Sequence, residues 1–343
     1  MRADAIRRQL ATLLVTLLAT LRPLAAALTR AGATLTRAGV AHPVAVAVAA
    51  AITLVATLPL WVSAYVLGLL TTAYYFGVFA MSWDLLFGFA GEVNFGPTFL
   101  IGLGAYTAGI LDNLYGWSIP ACAAAGTGAA VVGGVLLALP ALRLRGPYFG
   151  LVTLVAVLLL QQCIVIFASV TGGEIGLTVP DVTFVDAWAN YLFAFAFLLL
   201  SGAILFGLSR SSLGLILQAS GQDATAASAL GFNVAKHKLA AFCISAFFSG
   251  LAGVLVVFYQ GTASVGTVVD IALGVQIIIA AVLGGRRTIL GGALGAVFLI
   301  AAGEALRPLG QLNTFVVAAI ALAVILFFPD GFLGTVLRRR ERG

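Results

Sequence analysis

LVTLVAVLLL, residues 151–160, and FAFAFLLLSGAILF, residues 193–206, carry no charge and do not alternate apolar with polar positions. A strand of a membrane β-barrel does alternate, because one face meets lipid and the other the lumen. The two stretches therefore read as helices, in which each backbone amide finds its partner inside the segment, as the bilayer interior demands. Composition agrees: 62% of the 343 residues are hydrophobic and 9% are charged, against roughly a quarter charged in a soluble domain. The sequence specifies an all-α, polytopic integral membrane protein.

Crossing the hydrocarbon core takes about 20 mainly apolar residues. Runs of about that length fall at 44–60, 66–87, 98–114, 119–141, 148–168, 190–208, 239–260, 271–285, 289–306 and 312–328, which predicts about ten transmembrane helices. Lys and Arg favour the cytoplasmic ends of spans. With the N-terminus inside and the spans alternating, every Lys and Arg except Arg307 falls on the cytoplasmic side: the six arginines before residue 44, Arg143 and Arg145, Arg210, Lys236 and Lys238, Arg286 and Arg287, and the four arginines of the tail. Both termini are therefore expected in the cytoplasm. The longest external loop, 169–189, carries Glu174, Asp181 and Asp186 and no basic residue. The net charge of +6 is thus a topology signal, and no nucleic-acid partner is expected.

Three domains of sequence follow: a basic amphipathic N-terminal segment at 1–43, a transmembrane domain at 44–334, and a basic cytoplasmic tail at 335–343. RRQLATLLVTLLATLRPLAAAL, residues 7–28, has a basic start and an apolar middle. It reads as an interfacial helix, with a signal peptide or an eleventh span as alternatives. Cys122, Cys163 and Cys243 lie far apart inside predicted spans and read as small buried apolar residues.

The residues needed for catalysis are missing. His42 and His237 are the only histidines, both at span ends, and no acidic or Cys cluster completes a metal site. Neither Lys follows a Gly, so the phosphate-cradling Gly-Lys-Ser/Thr loop is absent. No catalytic residue, metal or cofactor is expected in the chain. Ion-coupled transport would place ionisable groups within the spans. Asp84, Glu92 and Glu304 are the candidates, with Asp84 near a span end and Glu304 one turn from Arg307. Glu92 differs, because it lies in GFAGEVNFGP, residues 88–97, where glycines and a proline interrupt apolar sequence. Broken helices line cavities in transporters, which makes Glu92, Asn94, Phe95, Gly96 and Thr98 candidates for the translocation pathway.

SSLGLILQASGQDATAASALGFNVAKHK, residues 211–238, is a sizeable island without a membrane-length apolar run, and it holds both lysines. Its apolar positions 213, 216, 217, 224, 227 and 230 fit one helix face, with Gly231 placed to end the helix. A helix this short and glycine-containing is marginal alone, so it needs a surface to pack against.

At this point a resemblance becomes specific. ASGQDATAASALGFNVAKHKLAAFCISAFFSGLAGVL (219–255) resembles the cytoplasmic loop and following span of the branched-chain amino acid type of ABC importer permease. SWDLLFGFAGEVNFGPTFLIGLGAYTAGIL (82–111), LRLRGPYFGLVTL (142–154) with TGGEIGL (171–177), and AAVLGGRRTILGGALGA (280–296) agree in the same order. Arg143, Arg145, Gly146 and Tyr148, and the residues around Ala226, Ala227, Leu230, Gly231 and Asn233, carry most of the likeness. It departs at Glu92 and Pro97, at Gly221, Gln222 and Asp223, and at Arg286, Arg287 and Gly292.

The resemblance implies a multi-pass subunit of a bacterial or archaeal cytoplasmic (inner) membrane that pairs with a homologous second permease. It implies two cytoplasmic ATPase subunits, which would bind the ATP and Mg, and an extracytoplasmic solute-binding protein. Residues 211–238 would be the segment coupled to the ATPase, through Gln218, Ala219, Asp223, Ala226, Ala227, Leu230, Gly231 and Asn233. The implied solute is a branched-chain amino acid, with urea, amides or aromatic acids as alternatives in the same class. An ion-coupled secondary carrier and, outside transport, a structural membrane anchor are the rival readings.

Overall fold

The computed structural model describes residues 52–142 and 148–310, together with Leu312, Ala319 and Gly331. The N-terminal segment 1–43, residues 44–51 of the run 44–60, Arg143, Arg145 and Gly146, the span 312–328 apart from Leu312 and Ala319, and the tail 335–343 lie outside the described residues. Residues up to Trp61 belong to one unit and Val62 onward to another. In the first, residues 52–57 are helical and lead into a short turn at Leu58–Leu60.

In the second unit the helices are α1 (Ala64–Asp84), α2 (Pro97–Tyr115), α3 (Ile119–Ala141), α4 (Tyr148–Ile166), α5 (Ala187–Arg210), α6 (Ser212–Gln222), α7 (Ala224–Ala229), α8 (Val234–Gln260), α9 (Ile271–Gly284) and α10 (Leu290–Ala305). Eight expected runs, from 66–87 to 289–306, each hold one of these helices with ends displaced by a few residues. Among the described residues six helices are long and apolar enough to cross a membrane, and α10 is a shorter apolar helix. At 19 residues α2 is also about 28 Å long, but Asp112 and Asn113 dilute its apolar character. The protein is a polytopic helical membrane protein, as the sequence requires.

Two helices form the centre. Of their most apolar windows, 78% is buried in α8 and 61% in α1 with its continuation to Phe89, against 33 to 39% in the other four spans. The outer helices show leucines and valines on the surface, such as Leu136 on α3 and Leu151, Val155 and Leu159 on α4. In a bilayer those side chains meet acyl chains and cost nothing by exposure, so packing between helices comes from close approach of small residues. The α2, α3 and α8 trio shows it. A Cβ added at Gly104 of α2 would lie 2.5 Å from the Gly250 carbonyl oxygen of α8, and one added at Gly250 would lie 2.3 Å from the Ala130 Cβ of α3. Ser249 and Gly253, spaced as a small-residue pair, also pack internally. Ser249 Oγ bonds Ser82 Oγ at 2.7 Å, and Gly253 sits against the backbone of Ile101.

At one end the loop 169–189 is tied down. Its strand β1 (Leu177–Thr178) pairs antiparallel with β2 (Thr262–Ala263) just after α8. The Asp181 N–H donates to Asp112 Oδ2 at 3.3 Å, and Asn113 Nδ2 donates to the Thr178 carbonyl at 2.8 Å. Glu304 pairs with Arg307 at 3.3 Å as expected, and also accepts from the Tyr65 hydroxyl. The cysteines differ in part from expectation: Cys122 is buried and Cys243 half-buried, but Cys163 is exposed on an uncovered face of α4.

Gly250→Leu is expected to destabilise the protein by about 1–3 kcal/mol, since the core there has no room for a side chain. It should lower the thermal unfolding temperature in detergent. Gly207→Leu, at a position on α5 with nothing within 4 Å, should not lower it. Equal behaviour of the two would contradict the close packing.

Candidate functional site

The opposite end brings together three stretches far apart in sequence. The helix of α1 widens into a π-helical turn at Leu85–Phe89 and then breaks. The chain runs without helix until Pro97 starts α2.

In lipid the backbone groups freed by such a break must find partners within the protein. Here they do. The Glu92 N–H donates to the Leu86 carbonyl at 3.2 Å. The Phe95 N–H donates to Thr153 Oγ1 of α4 at 3.0 Å. The Gly96 N–H donates to Asn94 Oδ1 at 2.8 Å, and Trp83 Nε1 donates to the Asn94 carbonyl at 2.6 Å.

These bonds separate the pathway candidates by role. Asn94 is buried and its side chain closes a local turn. Gly96 packs so tightly on α4 that a Cβ would lie 2.2 Å from the Thr153 carbonyl oxygen. Phe95 is exposed. Thr98 is buried with no hydrogen-bond partner for its hydroxyl, facing Gly274 of α9. Glu92 forms an ion pair with Lys238 of α8 at 2.5 Å, the side chains 20% and 15% exposed.

The segment after α5 is not one helix. Asp223 interrupts it, its Oδ1 accepting from the Thr225 and Ala226 N–H groups at 2.8 and 3.0 Å, so that α7 starts afresh. An Asp at this point satisfies two of the free amides of a new N-terminus, which outweighs continuing the helix. Gly231 ends α7 with φ +89°, and Asn233 then caps α8 by accepting from the Lys236 N–H at 3.0 Å.

Of the residues expected to couple, Ala227 is buried and Gln218 half-buried, while Ala219, Asp223, Ala226, Leu230, Gly231 and Asn233 are exposed. Leu230 is 76% exposed, Leu215 62% and Phe232 40%. These apolar side chains sit on a segment not apolar enough to lie in lipid.

Contacts join this segment to the break. Gly91, at φ +74°, and Gly221, at the end of α6, touch backbone to backbone: a Cβ on Gly221 would lie 2.7 Å from the Phe89 carbonyl oxygen, and one on Gly91 3.1 Å from that of Gly221.

The α9 to α10 loop joins the same cluster through Asp84. Its fully buried carboxylate accepts from the Arg287 N–H at 3.1 Å and the Ile289 N–H at 3.0 Å. Arg287 and Ile289 are the two non-glycine residues with positive φ among the described residues. For a β-branched residue that backbone is strained, so a fixed acceptor is needed to hold it. Arg287 Nε also donates to the Gly88 carbonyl at 2.8 Å, and Arg286 lies over the Phe87 ring.

Sequence reading missed Asp84 as a fastening, Thr153 as a partner of the break, and Lys238 as the partner of Glu92. A lone Glu in the break and two lysines in one island were the only signal.

A break after the first long helix, with an exposed apolar segment packed beside it, marks this end of a polytopic helical membrane protein. The comparisons give the particular kind. The chain belongs to the branched-chain amino acid transport system permease component family, whose model matches residues 65–329. It is 27% identical over 309 residues to the high-affinity branched-chain amino acid transport system permease protein LivM of Escherichia coli, covering 80% of this chain and 71% of that one. It is 33% identical over 145 residues to BraD, a permease protein of the same description from Pseudomonas aeruginosa, covering 42% and 46%. It is 28% identical over 180 residues to the ribose import permease protein RbsC of Haemophilus influenzae, covering half of each. No solved structure matches the chain.

Removing the Asp84 carboxylate leaves the buried Ile289 N–H without an acceptor, at about 1–3 kcal/mol, and frees the part-buried Arg287 N–H as well. Asp84→Ala should lower the thermal unfolding temperature and speed trypsin cleavage at Arg286 and Arg287. Asp84→Asn, which keeps one acceptor oxygen, should do less of both. Wild-type stability and cleavage in Asp84→Ala would show that the loop does not depend on the carboxylate.

Proposed function

We propose that this chain is the membrane-spanning subunit of a binding-protein-dependent ABC importer and forms half of the pathway for branched-chain amino acids. In this reading a homologous permease supplies the other half. Two cytoplasmic ATPase subunits bind the ATP and Mg, and a solute-binding protein delivers substrate from outside. The observation that carries it is the exposed apolar segment 211–233, seated against the broken helix within a chain of this family. Leu215, Leu230 and Phe232 are the kind of surface a soluble partner covers, because exposed apolar side chains outside lipid are a cost until buried.

The mechanism follows from the contacts. A subunit seated on α6 and α7 pushes the C-terminal end of α6 against Gly91. The break then shifts relative to α9, and access to the region around Phe95 and Thr98 changes from one side of the membrane to the other. The solute needs only weak affinity here, since a tight midway site would slow its release. The free Thr98 hydroxyl and the exposed Phe95 ring offer one polar and one apolar contact, which suits a zwitterion with an aliphatic side chain. The basic end of the molecule lies in the cytoplasm and the 169–189 loop faces the binding protein.

Leu230→Glu should abolish co-purification of the ATP-hydrolysing subunits of a branched-chain amino acid system from the same cell, while the variant still inserts in the membrane at wild-type level. Undiminished co-purification would remove residues 211–233 from the interface.

A further inference from the structure

Resting on the reading of 211–233 as the coupling segment, we infer that Glu92 and Lys238 are positioning residues: their ion pair, with the Gly91 to Gly221 contact, clamps the broken helix to the middle of that segment and to the start of the helix that follows it. Gly221 closes α6, and Lys238 lies in the second turn of α8, just past the segment's end. The break touches both, through adjacent residues 91 and 92.

The two fastenings differ in kind. Gly91 against Gly221 is a backbone contact that transmits a push, because neither side has a flexible side chain to yield. It transmits no pull. The ion pair supplies the pull: a carboxylate and an ammonium at 2.5 Å resist separation of the break from α8. A clamp needs both directions, since the coupling segment must drive the break one way and return it.

Among the described residues, Glu92 is the only acid between Asp84 and Asp112, and Lys236 and His237 are exposed or bonded elsewhere, His237 Nδ1 to the Asn233 carbonyl. The Asn94, Trp83 and Thr153 bonds hold the later part of the break to α1 and α4. Residues 91 and 92 are thus the part attached to the coupling segment, and the peptide between Glu92 and Asn94 is where the two attachments meet.

Charge reversal tests the clamp. In the chain alone in lipid nanodiscs, spin labels at positions 95 and 215 should give a narrow distance distribution. Glu92→Lys and Lys238→Glu should each widen it, and the double reversal should restore it. In the complex with ATPase subunits, the ratio of leucine taken up to ATP hydrolysed should fall roughly threefold to tenfold in each single reversal and return in the double. Gly221→Leu, which wedges α6 away without touching either charge, should lower the ratio with no rescue by reversal. Rescue of stability alone, with the ratio unchanged in the single reversals, would make the pair merely structural and overturn the inference. So would unchanged distances. Should the wild-type complex show no ATP-driven leucine uptake, the functional reading fails, and the distance measurement in the chain alone still decides whether the clamp exists.

Discussion

Lipid supplies no hydrogen bonds, so a helix that breaks inside a membrane protein must have each freed backbone group met by the protein itself. That constraint shapes the end of the molecule where α1 stops and α2 begins. Asn94 bonds to its own neighbourhood, Thr153 reaches from α4, and Trp83 turns its indole N–H back onto the Asn94 carbonyl. Asp84 does the same for the α9 to α10 loop, whose two strained residues donate to its carboxylate. Each break is therefore held in a defined shape by named partners. A shape that is held in this way can be moved as a unit, which a floppy linker could not be.

The same cluster gives independent support to the alternating topology. The break at 88–96, the segment 211–238 and the loop 285–289 meet at one end, through Gly91 with Gly221, Glu92 with Lys238, and Arg287 with Gly88. The loop 169–189 meets the end of α2 and the strand after α8 at the other. Charge bias alone assigned these stretches to opposite sides. The contacts assign them to the same opposite ends by geometry, with no reference to charge. The Glu92 and Lys238 pair matters for where it fixes the break.

Helix identity was legible in the sequence because a membrane leaves few choices: an unbroken apolar run of spanning length has to be a helix. The GFAGEVNFGP interruption was legible for the same reason, since glycines and a proline there have no place in a regular span. What could not be read was how residues far apart meet. Asp84 looked like a span-end acid, and its partners are backbone amides some two hundred positions away, which no side-chain pattern advertises. The division of the segment 211–238 at Asp223 went unread because apolar periodicity passes through it, while a capping carboxylate decides the local geometry. Asn94 and Gly96 were legible as candidates for the solute path, but no pattern showed that their contacts also shape the turn at Phe95.

The proposed coupling requires the segment 211–233 to face the compartment where ATP is hydrolysed, with the loop 169–189 on the far side. Impermeant thiol labelling tests this most directly, in a background with Cys122, Cys163 and Cys243 replaced. Leu230→Cys should react in inside-out vesicles and stay unlabelled in intact cells, and Ile175→Cys, on the 169–189 loop, should do the reverse. Labelling of Leu230→Cys from outside intact cells would contradict the account.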